Sequence, residues 1–134
     1  MTTDNVRALV RYRLEQADSA LKAVQILIAQ DSLSAAVNRA YYAMFYAVLA
    51  LLALRKQETS KHARVISLFD REFVRPGTFS RDLSRWLHHA FEQRLAADYA
   101  PLHTVTDEKA QQVFRDAKAF VAQVKEHLAP ELQS

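Results

Sequence analysis

The feature that most constrains the fold is a long apolar stretch in the first half of the sequence. After Asn38 and Arg39, no charged residue occurs until Arg55. A helix that is apolar on all sides must be surrounded by other helices. The uncharged run over residues 40–54 contains three tyrosines and is shorter than the roughly 20 residues that a membrane span requires. We therefore expect a core helix and no membrane span.

Four further segments place apolar residues at helical spacing. The chain has only one glycine and three prolines, too few for the many turns of an all-β protein. The helices are predicted over residues 4–29, 33–54, 61–73, 80–97 and 107–128. Long helices with short joints favour one all-α domain over residues 1–134. We expect an up-and-down helical bundle of four long helices and one shorter helix.

Composition also limits where the protein works. Cysteine is absent, which excludes disulfides and thiolate metal sites and favours a reducing compartment. The N-terminus is polar and acidic, unlike the basic start of a signal peptide. These features predict a cytoplasmic protein. Its formal net charge of +3 permits a nucleic-acid partner but does not require one.

Several catalytic patterns are missing from the sequence. No glycine-rich phosphate loop and no G-x-S-x-G motif is present, which argues against kinases and serine hydrolases. His88 and Glu92 lie one helical turn apart, but no HExxH or Glu-x-x-His motif accompanies them. We therefore expect no metal site and no cofactor.

Arg94 is the first candidate for a ligand site. The apolar face of the fourth predicted helix, which includes Leu87 and Phe91, continues to Arg94, so a cation should enter the core. Asp98 follows one turn later, at a spacing that lets the two side chains meet, and Tyr99 comes next. One interpretation is a structural ion pair. The other is an anion site in which Arg94 holds a phosphate, Asp98 orients it and Tyr99 donates a hydrogen bond.

The second candidate set lies at the entrance of the apolar helix. Its members are Asn38, Arg39, Tyr42 and Tyr46, of which the last three share one helix face. We expect this face to oppose the fourth helix and to add a second cation and hydroxyl groups to a shared cleft. The alternative is a buried polar network that fixes the register of the helices.

Three motifs resemble those of HEPN domains. The string AVNRAYYAMFY at residues 36–46 is similar to their signature helix, roughly S-R-A-Y-Y-A-M-F. His62 and the following VISLFDREFV at residues 65–74 resemble the next segment of one HEPN branch, and residues 94–99 resemble its R-x-x-x-D-Y ending. The motifs occur in the family's order, and the resemblance covers about residues 30–128.

The resemblance implies a helical bundle that forms homodimers. HEPN proteins are frequently partners of a small nucleotidyltransferase in prokaryotic toxin–antitoxin or defence modules. Many are metal-independent ribonucleases with an R-x(4–6)-H motif, in which arginine stabilises the phosphate and histidine moves the proton of a 2′-hydroxyl. In this chain Tyr99 stands five positions after Arg94, and His103 stands nine positions after it. The motif is therefore not intact at Arg94.

Three functions are left open by the sequence. The first is a toxin–antitoxin or defence component that binds a nucleotide, RNA or a nucleotidyltransferase through the cleft between the second and fourth helices. The second is a metal-independent endoribonuclease toxin that uses Arg94 and Asp98 with His103. The third is a helical dimerisation module without a ligand.

Overall fold

Every regular element in the described part of the chain is a helix. A computed structural model describes residues 3–99 and 105–133. Its helices are α1 (Asp4–Ala29), α2 (Leu33–Leu54), α3 (His62–Phe69), α4 (Arg81–Tyr99) and α5 (Asp107–Leu132). A π-helical turn, Asp70–Val74, continues α3. These residues include no strand, and the prediction of an all-α fold is confirmed.

Helix α2 is the centre of the bundle. It contacts each of the other four helices. Helices α1 and α4 both pack on α2, but over the described residues the Cα atoms of α1 stay more than 8 Å from those of α4. A strip of the α2 surface between them is therefore left open, and the candidate site lies on this strip.

Tight reversals end both α1 and α2. After α1, Asp31 adopts a left-handed conformation with φ of 58°, and the Ser32 N–H donates to the Leu27 carbonyl at 2.8 Å. Lys56 has the same φ of 58° after α2. This arrangement pairs carbonyl groups that the last turn of a helix leaves free. Pro76-Gly77, between the third and fourth predicted helices, also forms a turn, with Gly77 at φ of 90°.

The core confirms that α2 is a buried helix. Tyr41, Met44 and Leu52 are fully buried. By length and composition alone, Leu33–Leu54 could cross a membrane, but 67% of its most apolar window is buried inside the fold. Burial of this kind is typical of the central helix of a soluble bundle.

Three helix ends differ from the sequence prediction. Helix α3 changes to the π-helical turn at Asp70, where the Arg75 N–H donates to the Asp70 carbonyl at 2.8 Å. Helix α4 continues two residues beyond its predicted end, to Tyr99. Helix α5 continues past residue 128 and includes Pro130 in its last turn. Proline has no N–H to donate to the carbonyl group one turn earlier. Because this end of the helix is exposed, that carbonyl can bond to water instead at small cost.

The N-cap of α5 allows a first test of local stability. The Thr106 hydroxyl accepts a hydrogen bond from the Lys109 N–H at 3.1 Å, whereas Ser32, the N-cap of α2, makes no such bond. Thr106→Ala should lower the free energy of unfolding by about 1 kcal/mol, because one N–H of the first turn loses its partner. Ser32→Ala is the matched control and should cost less. Equal losses in urea denaturation would show that the α5 cap contributes nothing specific.

Candidate functional site

Arg94 lies against two tyrosine rings of α2. Its guanidinium carbon is 5.6 Å from the centre of the Tyr41 ring and 5.5 Å from the centre of the Tyr42 ring. The Arg94 side chain is only 19% exposed. A guanidinium over an aromatic face is stabilised by the electron-rich ring. The predicted inward orientation of Arg94 toward the tyrosines of α2 therefore agrees with the structure.

A second guanidinium approaches the same ring. The guanidinium carbon of Arg39 is 5.0 Å from the centre of the Tyr42 ring, so Arg39 and Arg94 both lie within contact of Tyr42. Arg39 comes from the first turns of α2 and Arg94 from the last turns of α4. Two helices thus bring two cations together, as the sequence predicted. Two like charges on one ring favour the binding of an anion nearby.

The hydrogen bonding of these two arginines is incomplete. The Nε atoms of Arg39 and Arg94 are buried, and neither has a hydrogen-bond partner among the described residues. Asp98 lies close to one of them, with its Oδ2 at 3.5 Å from Nε of Arg94. That distance makes an ion pair, but the geometry is not that of a hydrogen bond. Since a buried charged group without a hydrogen bond is costly, both guanidiniums can still gain by binding an acceptor.

An open cleft of about 700 Å³ runs past Arg39, and Arg94 is not among the residues that line it. It lies where α1 and α4 diverge over α2, and Leu27 of α1 and Asp98 of α4 form its edges. The α2 residues that line it are Ser34, Ala35, Asn38, Arg39, Tyr42 and Tyr46. All four α2 residues predicted as ligand-binding therefore lie on one cleft. Arg39, Arg94 and Asp98 leave one net positive charge at this place.

A smaller cleft of about 320 Å³ adjoins the first one. Arg39 and Tyr46 line both clefts, and the second continues along α1 past Ser19 to Tyr12. Tyr12 is among the few large hydrophobic side chains that are strongly exposed. The two clefts together make a groove between α1 and α2 that is longer than a single phosphate group needs.

Two predicted site residues cannot be placed. His103 lies outside the described residues, and so does the side chain of Tyr99. The predicted roles of His103 as a catalytic base and of Tyr99 as a hydrogen-bond donor stay predictions.

Tyr41 and His62 join the site without having been chosen from the sequence. The Tyr41 hydroxyl and Nδ1 of His62 are hydrogen-bonded at 2.7 Å. The imidazole also stacks on the Phe45 ring, with 4.5 Å between the ring centres. His62 thus connects α3 to the same tyrosine that supports Arg94. The adjacent Tyr41-Tyr42 pair was the available signal, because one of two neighbouring tyrosines on a core helix must point inward and needs a partner for its hydroxyl.

Burial shifts the pKa values of this hydrogen-bonded pair in opposite directions. Desolvation raises the pKa of Tyr41 well above its ordinary value, although the charge of Arg94 partly opposes this shift. Desolvation lowers the pKa of His62 below 6.5, and the charge of Arg94 lowers it further. At neutral pH the phenol therefore keeps its proton and the imidazole is neutral.

The shifted pKa of His62 makes stability depend on pH. The unfolded chain binds a proton at His62 near pH 6.5, and the folded protein binds it only at lower pH. The imidazole thus contributes its full stability above pH 6.5 and loses this contribution as the pH falls toward its folded pKa. In urea denaturation, the wild-type protein should lose more stability between about pH 7.5 and pH 5.5 than His62→Asn does. Identical losses would mean that folding leaves the pKa of His62 unchanged.

A separate polar cluster lies where α4 meets the π-helical turn. Asp70 accepts from the Ser84 hydroxyl at 2.7 Å, and its other carboxylate oxygen lies 2.6 Å from Nε2 of His88. His88 therefore pairs with Asp70, a residue of another element. The cluster links two elements of the bundle and contains none of the arginines described above.

Comparison with known proteins gives a consistent family match. The family model described as "HEPN domain" matches residues 10–127, which begins about 20 residues earlier than the motifs quoted from the sequence. The chain is 34% identical over 113 residues to a "UPF0332 protein" of Thermotoga maritima, covering 84% of this chain and 86% of that protein.

Two archaeal relatives have names that refer to toxicity. A "Putative toxin" of Methanocaldococcus jannaschii is 32% identical over 124 residues, which is 92% of each chain. Another "Putative toxin" of the same organism is 30% identical over 115 residues, covering 86% of this chain and 78% of that protein. The similarity to all three proteins extends over α2 and α4, which carry the two clustered arginines.

Proposed function

Because this chain belongs to the HEPN domain family, we propose that it is a toxin-module protein whose Arg39 and Arg94 bind a phosphate group of RNA or of a nucleotide. The relatives whose names refer to toxins support the module, and the cluster of arginine and tyrosine side chains on α2 and α4 supports the ligand.

One observation carries the choice of a phosphate ligand. Two guanidiniums lie on the single ring of Tyr42, and each has a buried Nε atom without a hydrogen-bond partner among the described residues. A guanidinium presents parallel N–H groups that match two oxygen atoms of a phosphate, and charge-assisted bonds of this kind are the strongest in proteins. An anion of this shape would bind the terminal N–H groups, since the Nε atoms themselves are buried.

The shape of the cleft favours a ligand larger than phosphate alone. Its volume of about 700 Å³ is within the range for small-molecule sites. Tyr46 lies on the same face as Tyr42, and the amide of Asn38 lines the cleft beside them. Aromatic rings stack on nucleobases and an amide can pair with a base edge, so the lining suits a nucleotide. The adjoining groove along α1 offers room for further nucleotides of a single strand.

The experiment combines a binding assay with a cleavage assay. The purified protein is titrated with AMP and with a short single-stranded RNA while its thermal unfolding is followed. The same RNA is also incubated with the protein in EDTA. We expect a rise in the unfolding temperature that depends on ligand concentration, because a ligand that binds only the folded state stabilises it. We expect the RNA to stay intact.

Two other outcomes would assign a different function. RNA cleavage in EDTA that disappears in Arg94→Ala would identify a metal-independent ribonuclease. No stabilisation by either ligand, with no cleavage, would overturn the proposal and leave a helical association module.

The proposal also includes partners and location. We expect a homodimer in the cytoplasm and a small nucleotidyltransferase as the partner protein, as the family resemblance implies. Light scattering of the purified chain measures its molar mass and so tests the homodimer. Co-purification with the product of any neighbouring nucleotidyltransferase reading frame tests the second, and its absence from the complex would remove that partner from the proposal.

A further inference from the structure

His62 contacts both tyrosine rings of the arginine site and is hydrogen-bonded to one of them, Tyr41. Tyr41 is fully buried, and its hydroxyl has one hydrogen-bond partner among the described residues, Nδ1 of His62 at 2.7 Å. The Arg94 guanidinium also lies against the Tyr41 ring, with its carbon 5.6 Å from the ring centre. His62 and Arg94 therefore hold the same tyrosine from two different helices.

The hydrogen bond determines which imidazole nitrogen carries the proton. A buried hydroxyl that remains protonated must donate its hydrogen to an acceptor. In this site the acceptor is Nδ1 of His62, so the proton of the neutral ring is on Nε2. The ring is also fixed in place, because it stacks on Phe45 at 4.5 Å and on Tyr41 at 5.6 Å between ring centres.

From these contacts we propose that His62 is a positioning residue for the phosphate-binding arginine. By accepting the Tyr41 hydroxyl, it keeps the ring beneath Arg94 in one orientation, and the guanidinium is thereby held beside the Tyr42 ring that it shares with Arg39. The expected effect of this inference on ligand binding rests on the proposed function. Its structural part, the fixed orientation of Arg94, can be measured without any ligand.

The charged and titratable groups around His62 are few. Tyr41 and Tyr42 face it from α2, and Arg94 acts on it from α4. Lys61 and Arg64 of its own segment are exposed. Protonation of His62 would bring a second positive charge toward Arg94 and would remove the acceptor for the Tyr41 hydroxyl. The positioning role therefore requires the neutral ring.

A matched pair of substitutions separates this role from general packing. In His62→Asn, the amide oxygen can occupy the place of Nδ1 and accept the Tyr41 hydroxyl. In His62→Gln, the amide reaches the place of Nε2 instead and leaves the hydroxyl without an acceptor. We expect His62→Gln to weaken AMP binding by about threefold to tenfold, and His62→Asn to stay within about twofold of the wild type.

Tyr41→Phe completes the test. It removes the donor of the same bond, so it should weaken AMP binding about as much as His62→Gln. The double variant should then bind AMP no more weakly than either single variant, because both substitutions remove one interaction. Losses that multiply in the double variant would overturn the coupling between these two residues.

NMR spectroscopy tests the structural part directly. The ¹⁵N shifts of the His62 ring should identify Nδ1 as the unprotonated nitrogen at neutral pH. The Nε–H signal of Arg94 should move toward that of the exposed Arg85 in His62→Gln and keep its position in His62→Asn. A protonated Nδ1, or an Arg94 signal that does not respond to His62→Gln, would overturn the inference. If the wild type fails to bind AMP while these signals behave as expected, the proposed function fails and the positioning of Arg94 by His62 stands.

Discussion

Replacing Arg94 with alanine is expected to weaken the binding of AMP or of a short single-stranded RNA by about tenfold to one hundredfold. A hydrogen bond to a charged group contributes about 1.5–3 kcal/mol, and tenfold in affinity corresponds to about 1.4 kcal/mol. The remaining guanidinium of Arg39 should keep some affinity, since it lies on the same Tyr42 ring. Isothermal titration calorimetry at low salt measures the loss.

Two further arginine variants control this experiment. Arg85 is on the same helix, pairs with Asp82 and has a side chain that is 74% exposed, so Arg85→Ala should change affinity by less than about twofold. Arg94→Lys keeps the charge but not the planar fork and should give an intermediate affinity. If Arg94→Ala binds as tightly as the wild type and is only less stable, then the ion pair of Arg94 with Asp98 is structural and Arg94 does not bind the ligand.

Replacing Phe120 with alanine should destabilise the fold by about 3–5 kcal/mol. Phe120 is fully buried in α5, and its ring centre lies 5.2 Å from that of Phe69 in α3. The substitution leaves a cavity and removes a contact between two helices that are far apart in the sequence. The free energy of unfolding from urea denaturation measures the effect.

An exposed side chain serves as the control for Phe120. Ile26 is 57% exposed on α1, so Ile26→Ala should change the free energy of unfolding by no more than about 0.5 kcal/mol. A loss below about 1 kcal/mol for Phe120→Ala would contradict the burial of Phe120 and its ring contact with Phe69.

The bundle and the direction of Arg94 could be predicted because local patterns specify them. The bounds of α1 and α2 agree with the prediction, since a short polar joint ends the apolar pattern of each helix. The inward position of Arg94 follows from its spacing along the apolar face of α4. Its contact with the tyrosines of α2 follows from the apolar character of that helix, which obliges other helices to pack on it.

The contacts between distant residues could not be predicted in the same way. Tyr41 and His62 are 21 positions apart, and Asp70 and His88 are 18 apart. Each pair depends on how α3 and the π-helical turn lie against their neighbours, which no local spacing specifies. The π-helical turn itself starts within a continuous helical pattern, so the sequence offered no break at Asp70.

The extension of α5 past residue 128 differs from the prediction because of Pro130. Pro130 indicates a helix end when it is considered alone, because proline disrupts a helix interior. In the structure it lies in the last turn of α5, where the residue is exposed.

The most direct test follows the Nε–H signals of the arginine side chains by ¹H–¹⁵N NMR while AMP is added. If Arg39 and Arg94 bind the phosphate, their two signals should shift together and saturate with one dissociation constant, and the signal of Arg85 should stay in place. If AMP binds without moving either signal, or if all arginine signals shift in proportion to ionic strength, then the two arginines on Tyr42 are not the phosphate site.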